Sequence, residues 1–174
     1  MGTYNVHEYI NAHELLDKMT DPKSYYNLVY RIIGAAMTVQ DELNWGLAEA
    51  FYTEALHVEL LERGIENKME AQVPCYYKGK LMAKFYQPDI MAGDIMIELK
   101  SVSELISAHR AQLFNYMRLT RTPIGLLINF GQPLLQGERY WLNEETNECV
   151  LLDRNMNPVY DDPNSDYYGL EEET

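Results

Sequence analysis

The chain has 174 residues, 47% of them hydrophobic and 24% charged, enough to bury a sizeable core and few enough for one domain. A formal charge of −13 and a pI near 4.6 speak against a nucleic-acid binder, and no apolar run approaches the roughly 18 to 20 residues of a membrane span. Cys75 and Cys149 stand far apart with no CxxC or Cys/His partner, which argues against a disulfide framework or a thiolate zinc site, and without a basic, apolar leader the expected compartment is the cytoplasm.

The overall charge hides a partition. Residues 63–139 carry ten Lys or Arg against seven Asp or Glu, a local balance of +3, whereas the last 22 residues carry seven acids against Arg154 alone. The expected organisation is therefore one folded domain over residues 1–152 and an acidic extension over 153–174. The extension, at −6, is expected to repel nucleic acid if it lies near the basic segment.

In chain order, Val6, Ile10, Leu15 and Leu16 suggest a short amphipathic helix that Thr20-Asp21-Pro22 ends. A second helix is expected from a Ser24 cap to about Leu43, because Leu28, Ile32, Ala35, Ala36 and Val39 recur at helical spacing. Asn44-Trp45-Gly46 breaks the pattern, and a third helix is expected from about Leu47 to Arg63, stopping at Gly64. Extended segments follow. Residues 72–77 and 81–86 flank Lys78-Gly79-Lys80 as a hairpin, and Asp89-Ile90-Met91 turns at Ala92-Gly93-Asp94 into the β-branched strand Ile95–Lys100. Ser103 is expected to open a helix to about Leu119. The apolar run Ile124–Phe130 suits a central strand covered on both faces, with weaker strands near 139–142 and 149–152. This order gives an α/β fold with a mixed sheet.

The chemistry concentrates at Asp89, Glu98 and Lys100. Glu98 and Lys100, two apart on one strand, share a sheet face, and a hairpin would set Asp89 beside them at one edge of the sheet. Paired carboxylates in a half-buried site repel unless a cation neutralises them, and oxygen-only ligands favour Mg²⁺ or Mn²⁺. With Lys100 as a neighbouring positive charge, the set suits metal-assisted hydrolysis of a phosphodiester. Asp94 is better read as turn chemistry beside Gly93, and His109 as a structural residue near a helix start. No GxxxxGK[ST] phosphate loop is present.

Pro88-Asp89, eight intervening residues and Glu98-Leu99-Lys100 resemble the PD-(D/E)xK signature. Gly46-Leu47-Ala48-Glu49-Ala50-Phe51-Tyr52 has the form GxxExxY, similar to a bacterial family within that nuclease superfamily. The likeness continues in order through Glu59-Leu60, Arg63-Gly64, Gln72-Val73-Pro74, Tyr77-Lys78-Gly79, Gln112 to Tyr116 and Gly125–Gly131. It covers about residues 28–140. The resemblance implies a restriction-endonuclease-like mixed sheet flanked by helices, with extra N-terminal helices. It implies Mg²⁺ or Mn²⁺ held by Asp89, Glu98 and the Leu99 carbonyl, with Glu49 as an additional acid and Lys100 orienting or activating the attacking water. Gln112 and Tyr116, one turn apart, are similar to the QxxxY element of RecB-like exonucleases, which supports the catalytic Lys and the substrate phosphate. Gly46 and Tyr52 fit packing roles, Tyr52 with a hydroxyl tether. The implied substrate is DNA or RNA, reached through Lys78, Lys80, Lys84, Arg110, Arg118 and Arg121. The alternatives are a catalytically silent nuclease-fold module, or DNA mimic, that binds a basic partner through its acidic surface, and a hydrolase of small phosphoesters.

Overall fold

A computed structural model of the protein describes residues 21–162, and the helix expected over 6–19 lies outside them. The first helix, α1, spans Tyr26–Leu43 and is preceded by a 3₁₀ turn, Pro22–Tyr25. Asp21, not Ser24, caps that turn, its carboxylate accepting from the Lys23 N–H at 2.9 Å, while the Ser24 hydroxyl donates to the Asp21 carbonyl. Pro22 explains the shift, since proline suits the first helical position and leaves the preceding residue to cap. Helix α2 spans Glu49–Glu62 and packs on α1, ending where Gly64 takes a φ of +71°.

Two strands then leave the body of the fold. β2 (Val73–Tyr77) and β3 (Lys80–Tyr86) pair antiparallel as a two-stranded sheet of their own, turned by Lys78 and Gly79, both at positive φ as a tight hairpin requires. The main sheet has seven strands in the order β1-β4-β5-β6-β7-β8-β9. These are β1 (Lys68–Met69), β4 (Ile90–Ala92), β5 (Ile95–Lys100), β6 (Ile124–Asn129), β7 (Gln136–Asn143), β8 (Glu148–Leu152) and β9 (Pro158–Val159). Among the described residues only β5 and β6 run parallel, joined by the crossover helix α3, Ser107–Thr120. Every residue of β6 is buried, as its uninterrupted apolar run predicts for a strand covered on both faces.

Strand alternation sorts the core into two layers. Ile95, Ile97 and Leu99 of β5, with Ile124, Leu126 and Ile128 of β6, pack against α1 and α2, while Met96 and Leu127 pack under Leu113, Phe114 and Met117 of α3. The mixed sheet flanked by helices is thus a restriction-endonuclease-like fold. Helix α3 begins at Ser107, four residues beyond the expected Ser103, because the loop after β5 is held by side chains of the β6 end: Asn129 bonds Val102, and Gln132 donates to the Ser103 carbonyl. At the other end the sheet runs past Leu152. Met156 is fully buried and Pro158–Val159 pairs with β8, so the first residues of the acidic segment complete the core. Among the described residues no helix is long and apolar enough to cross a membrane.

Candidate active site

Asp89 sits just before β4, not at the end of the strand that closes the first hairpin. The short β4–β5 hairpin pairs Ile90 with Ile97, and one step further along that register Asp89 lies opposite Glu98. The Asp89 carboxylate accepts the Leu99 N–H at 2.7 Å. In a strand the N–H and C=O of one residue project toward the same neighbour, so the Leu99 carbonyl also points to the Asp89 side. The convergence is at the carboxyl end of β5. That strand is interior to the sheet, with β4 and β6 on either side, so the site is not at a sheet edge as the sequence suggested.

Glu98 is 9% exposed, and its pKa is pushed up to about 8. Burial is the main cause and the Asp89 carboxylate the second, while a hydrogen bond from Tyr86 and the charge of Lys100 act in the opposite direction. The Tyr86 hydroxyl donates to Glu98 Oε1 at 2.6 Å, and burial with the adjacent carboxylates holds that hydroxyl protonated, well above the ordinary tyrosine range. Tyr86 in turn stacks on Tyr116 of α3, ring centroids 3.4 Å apart at 7°. No sequence pattern pointed to Tyr86; a tyrosine three residues before a candidate acid, ending a strand, was the available signal.

Glu49 reaches the same region from the opposite layer. Gly46 adopts a φ of +86°, which suits glycine, and donates its N–H to the Phe130 carbonyl at 3.0 Å. The Tyr52 ring stacks on Phe130, and its hydroxyl accepts from the Leu47 N–H and donates to the Asn44 carbonyl. The GxxExxY segment is therefore a tether that fixes the loop before α2 to the end of β6 and places Glu49 on the first turn of α2. A helix N-terminus favours a carboxylate. Even so, the Glu49 pKa is raised, first by burial, with Lys100 pulling it down and Asp89 pushing it up. Glu49, Asp89, Glu98 and Lys100 thus lie in one electrostatic neighbourhood.

The loop after Lys100 is clamped by Asn129. This fully buried side chain accepts from the Val102 and Gly131 N–H groups, both at 3.0 Å, and donates to the Val102 carbonyl at 2.9 Å. A Cβ at residue 131 would strike the Val102 backbone, so only glycine permits that approach. The Phe130 N–H meets the Lys100 carbonyl at 2.8 Å. His109 Nδ1 accepts the Ile106 N–H at the head of α3, and its pKa is lowered by burial and then by Lys100 and Arg110, in keeping with a neutral structural ring. Asp94 accepts from the Tyr25 hydroxyl at the far end of β5, away from the acids.

Gln112 and Tyr116 face a separate cleft of about 1640 Å³ between α3 and the β2–β3 hairpin. The acids do not line it; they meet it through Tyr116 and Tyr86. Three of the proposed substrate cations already have partners, Arg118 and Arg121 on the lining of that cleft, where Arg118 donates to Asn115 at 3.1 Å. Arg110 makes a two-pronged ion pair with Glu138 at 2.6 and 2.8 Å, and Arg121 contacts Glu144 and Asn147.

Among the described residues no three His, Cys, Asp or Glu side chains gather at metal-holding distance, and Glu49 remains outside the Asp89–Glu98 pair. The pair itself fits a hard cation: Mg²⁺ is commonly bound through one or two carboxylates with water completing its shell. A cation there would also relieve the repulsion that raises the Glu98 pKa.

A mixed sheet with Glu98 and Lys100 on an inner strand and Asp89 across the β4–β5 hairpin is the arrangement that the PD-(D/E)xK resemblance implies. A family model of the PD-(D/E)XK nuclease superfamily matches residues 26–140, well over half of the chain, and the protein belongs to that superfamily. No curated protein matches the chain. Among solved structures it is similar to the crystal structure of SSO0001, at 16% identity over 82% of each chain with a TM-score of 0.44, a likeness too distant to carry an argument.

Proposed function

We propose that the protein is a Mg²⁺- or Mn²⁺-dependent nuclease of the GxxExxY kind, acting on DNA or RNA. The observation that carries this reading is the buried Glu98 held against Asp89, an arrangement of like charges that favours a bound cation. Asp89, Glu98 and the Leu99 carbonyl would hold the ion, and Glu49 adds negative potential beside it. A bound divalent ion lowers the pKa of water and polarises a phosphoryl oxygen. Tyr86 orients Glu98 through its hydroxyl. Lys100 supplies the positive charge that orients the attacking water and stabilises charge developing on phosphate. Gln112 and Tyr116 position substrate from the cleft side.

Thermal melts with and without metal test the reading. At tenfold excess over Kd a cation that binds only the folded state adds about 1.4 kcal/mol, roughly 3–6 °C for a chain of this size. Glu98→Ala should lose that shift, and Lys100→Ala should keep it while losing cleavage of a labelled oligonucleotide. An unchanged melting temperature of the parent protein at millimolar Mg²⁺ and Mn²⁺ would count against the reading.

One observation favours the interaction-module alternative. Leu47, Phe51 and Val58 expose an apolar seam between α1 and α2, rimmed by Glu42, Glu54 and Glu59. A basic apolar partner suits that surface. The two readings separate on the same melts, because the module needs no metal.

A further inference from the structure

The β2–β3 hairpin is an unusual arm. Two-stranded hairpins are marginal in water unless one face is covered, yet nearly all of β3 is exposed on both faces. Its tip carries Tyr77 at 63% exposure and Tyr76 at 38%, with the Lys78 ammonium 5.5 Å from the Tyr77 ring centroid. Aromatic rings held in water on a projecting strand contribute little to a core. They form one wall of the 1640 Å³ cleft, and α3 forms the other with Gln112, Asn115 and Arg118 above the small side chains of Ala108 and Ala111.

We propose that this cleft seats single-stranded nucleic acid, with an unpaired base stacking on Tyr77 and with Lys78 meeting a phosphate. The inference rests on the nuclease reading and adds to it a substrate class. Three features carry it. The first is charge: the residues lining the cleft include Lys78, Arg118 and Arg121 against one acid, Glu144, with Arg118 bonded to Asn115 and Arg121 to Glu144 and Asn147, so Lys78 at the hairpin tip is the cation the proposal uses in a protein of net charge −13. Second, the lining combines aromatic faces with side-chain amides, the combination that holds single strands: every base has a stacking face, and amides accept and donate to unpaired base edges. A duplex hides its base faces in the stack and presents phosphates outward, so rings facing inward across a slot would find no partner on it. Third, the slot is joined to the acids. Tyr116 lines it, stacks on Tyr86, and Tyr86 holds Glu98. A strand lying along α3 would therefore approach the reactive end of β5 from the Gln112 side.

The test measures binding without cleavage. Fluorescence anisotropy in EDTA compares a labelled oligothymidylate of about 15 nucleotides, within the site sizes of single-strand binders, with its RNA counterpart and a duplex of equal length. Either single strand should bind at least about tenfold more tightly than the duplex. Tyr77→Ala should weaken single-strand binding by about 5- to 150-fold, the range for loss of one stacked base. Tyr77→Phe should retain it, and Tyr77→Leu, which keeps bulk without a π-face, should behave like Ala. Equal or tighter duplex binding, no binding of any strand, or unchanged affinity in both Tyr77→Ala and Tyr77→Leu would overturn the proposal. A parallel Mn²⁺ titration of the parent separates the failures. Metal binding without single-strand preference removes the cleft proposal alone, whereas absence of metal binding removes the nuclease reading.

Discussion

Tyr86 favours the ionised form of Glu98, while burial and the neighbouring Asp89 carboxylate favour the protonated form and prevail. The folded protein therefore keeps a proton that the unfolded chain releases near pH 4.5. Between that pH and about 8 the native state binds more protons than the unfolded state, so the stability of the metal-free protein falls as pH rises and levels off above about 8. The loss is of the order of a few kcal/mol. Melting temperatures in EDTA from pH 5 to 9 should show this slope in the parent and a shallower one in Glu98→Gln, where Glu49 and His109 still contribute; equal slopes in the two proteins would contradict the retained proton. Metal affinity should rise over the same window, since the ligand must lose its proton. Asp89, Glu98 and Lys100 could be singled out in the sequence because strand alternation and one short turn fix their relative places. Tyr86 and Asn129 could not: each acts across the fold, on a carboxylate 12 residues away and a loop 27 residues away, and neither leaves a local pattern.

Helices and strands declared themselves where periodicity was strong, as in α1, α2, β5 and β6, while their ends moved wherever a distant side chain supplied the cap. The start of α3 moved because Asn129 and Gln132 hold the preceding loop. The hairpin residues were recognisable from Lys78-Gly79, but nothing local reveals that the pair stands apart from the main sheet. Charge pairing between elements was equally hidden. Arg110, expected on a substrate path, joins α3 to β7 through Glu138, with side chains only 15% and 12% exposed and Tyr140 also bonded to the carboxylate. Arg110→Ala should therefore lower stability by about 1–3 kcal/mol by leaving a partly buried carboxylate with Tyr140 as its remaining donor. Arg110→Met with Glu138→Leu should recover most of that loss. Urea denaturation measures both, and a fully stable single variant with weakened oligonucleotide binding would restore Arg110 to the substrate path.

At the scale of the molecule the acidity is distributed less simply than a domain followed by a tail. Ending the chain at Leu152 would remove the buried Met156 and the β9 strand, so the role of the acidic end has to be tested by cutting after Asp162. Removing residues 163–174, which carry four acids, tests the expected repulsion of nucleic acid. A gain in oligonucleotide affinity in anisotropy titrations that shrinks as salt is raised would show that this segment screens the cleft, and an affinity unchanged at every salt concentration would remove the idea.

The seven-stranded sheet also begins and ends on strands of two residues, β1 and β9. An edge that short offers almost no ladder of open backbone groups on which another chain could template itself, and β9 opens with a proline that donates nothing. Among the described residues these short ends disfavour growth of the main sheet by strand addition, and the longest open ladder lies on the β2–β3 arm, where β3 is paired on one side alone.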